Sequence, residues 1–252
     1  MLSKAQIKFI NSLHNKKYRY LNKMFIAEGG KIVLDFIKHG FTAEYIAATP
    51  KWLKDNAIDR GISFIESDEK ELKKCSALSN PTNVIGVFHF PEIRPYDVEN
   101  SLSILLDDIQ DPGNLGTIIR TADWFGVKNI FCSKGTVDVY NPKVIQATMG
   151  AIAGVCINYC DLNELIKKHS SVDFPIYGTF MEGNNIYSDN LSQKGFIVMG
   201  NEGKGVSLDI QQLITTKLTI PSYNPTETIS ESLNVAVATS IICSEFQRKN
   251  LK

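Results

Sequence analysis

The sequence predicts an α/β protein in two parts, with a parallel sheet in the second. Three observations carry this. Short apolar runs alternate with stretches of helical spacing along the whole chain. One run, LSILLDD from Leu102, is apolar almost without a break, as in a strand buried on both faces. Between them lies PEIRPYDVENS, with two prolines, mixed charge and no period. The expected organisation is therefore a small domain over 1–90, a linker over 91–101 and a larger domain over 102–252.

In the first part, Ile7, Ile10 and Leu13 share helical spacing, with Phe9 beside them. MFIAEG reads as a strand that ends in a Gly-Gly turn. KIVLDFIKHG reads as a helix stopped by Gly40. YIAAT is a strand, Pro50 opens the next helix, and ISFIES is another strand. DEKELKKCSAL is helical, and NVIGVFHF closes a set of four candidate strands.

In the second part, LSILLDD leads into DPGNLGTIIRTADWFG, a turn that becomes a helix. KNIFCS is a strand, and NPKVIQATMGA a helix with proline at its first position. VCINYC, PIYGTF and GFIVMG are strands, with the helix LNELIKKHS after the first. SLDIQQLITT is a helix, KLTIPS a strand, and SESLNVAVATSIICSEFQRKN a long last helix. Repeated strand–helix units imply a parallel sheet covered by helices.

Composition narrows the class. The chain has 252 residues, is 43% hydrophobic and 21% charged, and carries a formal net charge of zero, an ordinary globular balance. The charge is uneven at the start, where Lys4, Lys8, Lys16, Lys17, Arg19 and Lys23 all precede the first acid, Glu28. Tyr18 and Tyr20 interleave with them. Such a patch suits phosphate neutralisation and base stacking, so Lys16, Lys17 and Arg19 are the candidate nucleic-acid contacts. A solvated amphipathic helix is the plain alternative. The five cysteines are scattered, with no CxxC and no histidine near Cys156 and Cys160, which signals neither zinc nor disulfides. Free thiols in a reducing cytoplasm are expected. No signal-peptide core opens the chain, and no apolar run is long enough to span a bilayer.

Ligands in α/β sheets sit beyond the carboxyl ends of the strands. Three strand exits here are chemically unusual. In the first, Asp111-Pro112-Gly113 makes a turn, Asn114 is placed to cap the helix, and Arg120 follows six residues on, able to face the same mouth. Arg120 is a lone cation on an apolar run, and its fork of donors suits phosphate. In the second, a buried strand enters Gly200-Asn201-Glu202-Gly203-Lys204-Gly205, whose glycines let a ligand approach the backbone. A Walker A loop would need glycine at 198 and Ser or Thr at 205; the chain has Val198 and Gly205. A dinucleotide fingerprint would need a small residue where Leu208 stands. In the third, Ile220-Pro221 leads through a polar loop to Ser232-Leu233-Asn234 and a helix of small apolar residues.

In order and spacing, these stretches resemble the SpoU (TrmH-type) RNA ribose 2′-O-methyltransferases of the SPOUT class. The motifs are Asn114-x-Gly116-x-x-x-Arg120-Thr-Ala, then Gly200-Asn-Glu202-Gly203-x-Gly205, then Ile220-Pro221 with Ser232-Leu233-Asn234-Val235. The match spans about residues 102 to 250, and the N-terminal half resembles the family's small L30e/L7Ae-like substrate-binding domain by pattern. The resemblance implies a C-terminal trefoil knot, which topology rules would not suggest. It also implies S-adenosylmethionine as cofactor, bound near Gly200, Asn201, Gly205, Ile220 and Leu233. The enzyme would be a homodimer through the knotted domain, with a catalytic arginine able to act across the interface. The chain departs from the pattern in a longer loop over 222–231, which adds Glu227 and Glu231.

The implied reaction moves a methyl group from a sulfonium to a ribose 2′-hydroxyl and needs no metal, because the leaving thioether is already good. Arg120 would be the base, which needs a buried, cation-rich site to depress the pKa of a group otherwise protonated in proteins, or would clamp a phosphate and position the hydroxyl. Asn114, Ser232 and Asn234 would orient substrate or Arg120, and Glu202 would hold the loops together by pairing with Arg120. Ribosomal RNA is the expected substrate, with transfer RNA the alternative. Two rivals remain in other classes: a non-catalytic RNA-binding protein of the same fold, and a dinucleotide enzyme using Asp138 as its ribose-binding acid.

Overall fold

The computed structural model describes residues 1–56, 61–78, 82–92, 97–169, 171–223 and 232–248. Its contacts divide the chain into two compact units, Met1–Ile93 with Asp138–Ala153, and Arg94–Val137 with Gly154–Lys252.

The first unit opens with α1 (Lys4–Ser12), closed by a capping box in which Ser3 accepts from the Gln6 N–H and Gln6 accepts from the Ser3 N–H. Next comes α2 (Lys16–Asn22), capped by Asn15 and ended by Lys23 in the left-handed region. It had no apolar period to announce it, since KKYRYLN is mostly polar. Then follow β1 (Met24–Glu28), α3 (Gly30–Lys38), β2 (Ala43–Ala48), α4 (Pro50–Asp55), β3 (Phe64–Glu66), α5 (Glu69–Cys75) and β4 (Val84–His89). All four expected strands form one sheet in the order β1-β4-β2-β3, in which only β2 and β3 run parallel.

The second unit is built from β5 (Leu102–Leu106), α6 (Pro112–Trp124) and β6 (Asn129–Cys132). After the excursion of α7 (Pro142–Thr148) into the first unit come β7 (Cys156–Tyr159), α8 (Leu162–His169), β8 (Ile176–Asn185) and β9 (Gly195–Met199). The last elements are α9 (Leu208–Gln211), β10 (Thr216–Thr219) and α10 (Val235–Arg248). Six strands pair in parallel in the order β10-β8-β9-β5-β6-β7. The central β5 and β9 are buried along their whole length, as the unbroken apolar run required. Leu105, Phe131, Phe196 and Val198 form a core with Ile166 of α8 and Ile210 of α9. Two expected helices are shorter than their patterns. α9 makes little more than one turn, and α10 begins only at Val235. Glu227 and Glu231 of the long loop lie outside the described residues.

α7 is the main departure in organisation. The sequence reading kept it within 102–252, yet it packs with the first unit. Tyr140, just before it, stacks on Phe90 at 3.9 Å between ring centroids and lies 4.9 Å from Phe25. Beneath them Arg19 is 2% exposed. Its Nε and Nη2 donate to Asp138 Oδ2 at 3.0 and 2.5 Å, and its Nη1 donates to the carbonyls of Leu13 and His14, each at 2.9 Å. Tyr20 donates to Asp138 Oδ1 at 3.1 Å, and burial, with Asp138 beside it, pushes its phenol well above the ordinary value. Arg19 is thus a correction to the sequence reading. Its charge is buried and satisfied inside the unit, so it does not reach RNA phosphate.

Candidate active site

The order of the larger sheet marks where a ligand binds. From β5 the chain winds outward through β6 to β7, then returns to lay β9, β8 and β10 on the other side of β5. The winding reverses between β5 and β9, and the crevice at their carboxyl ends is the expected site. The first two motifs leave the sheet at those two strands, and the third joins them from α10.

One chain of hydrogen bonds ties all three together. Asn234 Nδ2 donates to Asn114 Oδ1 at 2.9 Å, and Asn114 Nδ2 donates to Glu202 Oε1 at 3.0 Å. Glu202 also accepts from the backbone N–H groups of Asp111, at 3.2 Å, and Gln110, at 3.3 Å. Asn234 Oδ1 caps α10, accepting from the N–H of Ala236 at 2.9 Å and of Val237 at 3.3 Å. Each amide thus has an acceptor facing its nitrogen and a donor facing its oxygen, which fixes both orientations. One cap differs from that expected. Asp111, not Asn114, caps α6, accepting from the Asn114 N–H at 2.8 Å. Asn114 sits inside the first turn, and its side chain is released to bridge the two other loops.

Glu202 does not pair with Arg120, contrary to the sequence reading. Burial alone would raise its pKa, but the bonds from Asn114 and the Asp111 and Gln110 backbone outweigh this and hold it below the ordinary carboxylate value. A carboxylate so engaged ties loops together and is a poor proton acceptor. Arg120 is exposed and makes no hydrogen bond or ion pair among the described residues of its own chain. Ser232 is likewise exposed and outside the hydrogen-bonded chain.

The loop after β9 is closed on itself. Asn201 and Gly205 exchange backbone hydrogen bonds, Asn201 Oδ1 accepts from Gly203 and Lys204 N–H, and Asn201 Nδ2 donates to the Asp108 carbonyl at 2.7 Å. A Cβ on Gly200 would strike the backbone of Gly205 and Val206. That glycine is required by the loop's own return. Asp107 anchors the far end, accepting from the Ser207 N–H at 2.7 Å. Half-buried Gly200 and Ile220 and exposed Leu233 offer backbone and apolar surface that suits a nucleoside. Between the exits of β9 and β10 stands that of β8, which the sequence reading did not single out. There Thr179 donates to the Val198 carbonyl at 3.1 Å, and Met181 accepts from Thr219 at 2.9 Å. Only strand order reveals it.

In the first unit, Lys16 and Lys17 are exposed, with their Nζ atoms 5.6 and 5.9 Å from the ring centroids of Tyr20 and Tyr18. Asp138, the acid of the dinucleotide rival, is buried and held by Arg19 and Tyr20, so it cannot serve a ribose. Among the described residues no cluster of His, Cys, Asp and Glu could hold a metal ion, and no helix is long and apolar enough to cross a membrane.

Comparison with known proteins agrees with this geometry. The SpoU rRNA Methylase family matches residues 101–244, and the MRM3-like substrate binding domain matches residues 4–86. The 23S rRNA (guanosine(2553)-2′-O)-methyltransferase RlmP of Bacillus subtilis is 28% identical over 94% of both chains. Among solved structures, an RNA methyltransferase of the TrmH family from Porphyromonas gingivalis is 36% identical, covers 99% of each chain and superposes with a TM-score of 0.88. An rRNA methyltransferase from Sinorhizobium meliloti, solved with S-adenosylmethionine bound, is 28% identical with a TM-score of 0.85, over 100% of this chain and 97% of that one. With more than half its length matched and its fold and linked loops in accord, the chain belongs to the SpoU rRNA methylase family, whose members are S-adenosylmethionine-dependent RNA 2′-O-methyltransferases.

Proposed function

We propose that this enzyme methylates the 2′-hydroxyl of a ribosomal RNA nucleotide at the mouth between β5 and β9. The observation that carries the reading is the chain Asn234–Asn114–Glu202, which fixes loops from three distant parts of the sequence at one place. The ribosomal target named for the Bacillus subtilis relative favours ribosomal over transfer RNA.

When bound, S-adenosylmethionine supplies a methyl group activated by its sulfonium. Gly200, Asn201, Gly205, Ile220 and Leu233 are the residues assigned to hold it, with the β8 exit as a further wall. Arg120 clamps the phosphate beside the acceptor ribose and orients its hydroxyl, whose proton passes to water, a role that needs only its charge and its fork. Exposed on its own chain, the guanidinium is free to meet a phosphate, which supports the clamp. Ser232 orients the same ribose. The enzyme works as a homodimer in which Arg120, unpaired within its own chain among the described residues, serves the partner's site. Half-exposed Val237 and Leu233 at the start of α10 supply apolar contact surface. The bond from Asn234, just before α10, to Asn114 of α6 is in keeping with a trefoil knot. Free thiols at all five cysteines suit a cytoplasmic enzyme. The small unit, through Lys16 and Lys17, grips the RNA backbone.

The test uses ribosomal RNA from cells lacking the protein and S-adenosylmethionine with a labelled methyl group. Wild type transfers label to one ribose. Arg120→Ala keeps its circular dichroism and cofactor affinity but loses transfer by roughly 100-fold or more. Full transfer by that variant removes Arg120 from the reaction, and absence of cofactor binding by wild type favours a non-catalytic RNA-binding protein.

A further inference from the structure

Gln110 lies one residue before the Asp111 cap, and its side chain has an unusual arrangement for an exposed glutamine. Its Nε2 donates to Asp108 Oδ1 at 2.6 Å and to the Gly135 carbonyl at 2.7 Å, so both amide hydrogens are taken. Turning the amide over would set its oxygen against two acceptors, which locks its orientation. Asp108 is itself fixed. Its N–H donates to Ser133 Oγ at 2.9 Å, its carbonyl accepts from Asn201, and its φ is 60° in the left-handed region. The Gln110 backbone N–H meanwhile donates to Glu202. A glutamine at the mouth is thereby stripped of rotamer freedom and of its donors. What remains is Oε1, an acceptor without a partner among the described residues, on an exposed side chain.

We propose that Gln110 is a substrate-contacting residue whose locked amide presents Oε1 to a hydrogen-bond donor of the RNA strand entering the mouth. This rests on the RNA methyltransferase reading above. The donor is an N–H on the edge of a base or the 2′-hydroxyl of a neighbouring nucleotide, since RNA offers both when its bases are unstacked. A fixed acceptor rejects a strand lacking the matching donor, because its lone pairs are then desolvated without return. Gln110 therefore discriminates among acceptor sequences without taking part in methyl transfer.

Gln110→Ala removes both the acceptor and the link between loops. Gln110→Lys keeps donors that reach Asp108 and the Gly135 carbonyl but has no acceptor, so it separates recognition from bracing. With ribosomal RNA from cells lacking the protein, both variants are expected to bind S-adenosylmethionine within about 2-fold of wild type, and both to lose about 10-fold or more in kcat/KM for RNA. Gln110→Lys activity equal to wild type means that Gln110 only braces the loops, which overturns the proposal. At the mapped nucleotide and its two neighbours, transcripts then carry either a base analogue lacking one N–H or a 2′-deoxyribose in a neighbour. One substitution should slow wild type about 10-fold while leaving Gln110→Ala unchanged, and which one does so identifies base or sugar as the donor. Equal slowing of both proteins by every substitution overturns the proposal. Failure of wild type to methylate RNA at all overturns the functional reading with it, a result distinct from the other two.

Discussion

Arg19→Met is expected to unfold the small unit early while leaving RNA binding nearly untouched. The guanidinium makes four hydrogen bonds inside the unit, two to Asp138 and two to backbone carbonyls, and only 2% of the residue meets solvent. Methionine fills much of the space but leaves the Asp138 charge buried, with Tyr20 and the Tyr140 N–H as its remaining partners. Breaking a buried pair from one side costs about 3–5 kcal/mol. At a urea m value of about 2 kcal/mol per molar, the midpoint falls by roughly 2 M. The two tryptophans allow a clean assay. Trp52 is 5% exposed in the small unit and Trp124 is 85% exposed in the other, so a Trp124→Phe background leaves a fluorescence signal from the small unit alone. Adding Asp138→Asn should recover part of the loss, since no charge then remains buried without its partner. A midpoint drop under about 0.5 M, joined to a weaker salt dependence of RNA binding, would refute the argument and return Arg19 to the RNA surface.

Neutralising Lys16 and Lys17 together should reduce the slope of log affinity for single-stranded RNA against log salt by up to ~1.4, with cofactor affinity unchanged; an unaltered slope puts the footprint elsewhere. Glu202→Gln keeps the side chain's shape but sets an amide among three donors. It is expected to lower kcat/KM at least roughly 10-fold at a stability loss of about 1 kcal/mol, modest because the residue is exposed. Because the folded state lowers the Glu202 pKa, its contribution is complete above the ordinary carboxylate value of 4.5 and is lost as pH falls through the lower folded value. An activity limb between pH 6 and 8 that disappears in Glu202→Gln would contradict this. Gly200→Ala should weaken S-adenosylmethionine binding about 10-fold or more, measured by calorimetry, since the loop must open to admit the methyl; unchanged affinity would mean that the loop yields freely.

Local pattern carried much of the fold. All ten strands of the described residues began as apolar runs, though β8 runs on past PIYGTF through polar residues to Asn185, and the unbroken ones proved central, because burial on both faces leaves no polar alternation. Strand order left no such trace, and with it went the β8 exit. The helix α2 entered only as the plain alternative to a basic patch, because charge and tyrosine obscure any apolar stripe. Arg19 was misread for a related reason, since a basic run looks the same whether its members meet water or a carboxylate 119 residues away. At the candidate site, the family resemblance named Asn114, Glu202 and Asn234 as a group. Their partners were not legible, since a carboxylate and an arginine assigned to one site suggest an ion pair, whereas geometry gave Glu202 two backbone N–H groups and an amide.

The detour of α7 matters to a chain still being made. As it emerges from the ribosome, the small unit cannot finish folding when residue 93 appears. Asp138 and Tyr140 do not yet exist, so the Arg19 guanidinium lacks its counter-charge and the Phe90 ring, though beside Tyr20 and Phe25, lacks the ring that stacks on it. Closure waits for residue 153, and a fragment trimmed at the apparent boundary near 90 would carry that unfinished face permanently.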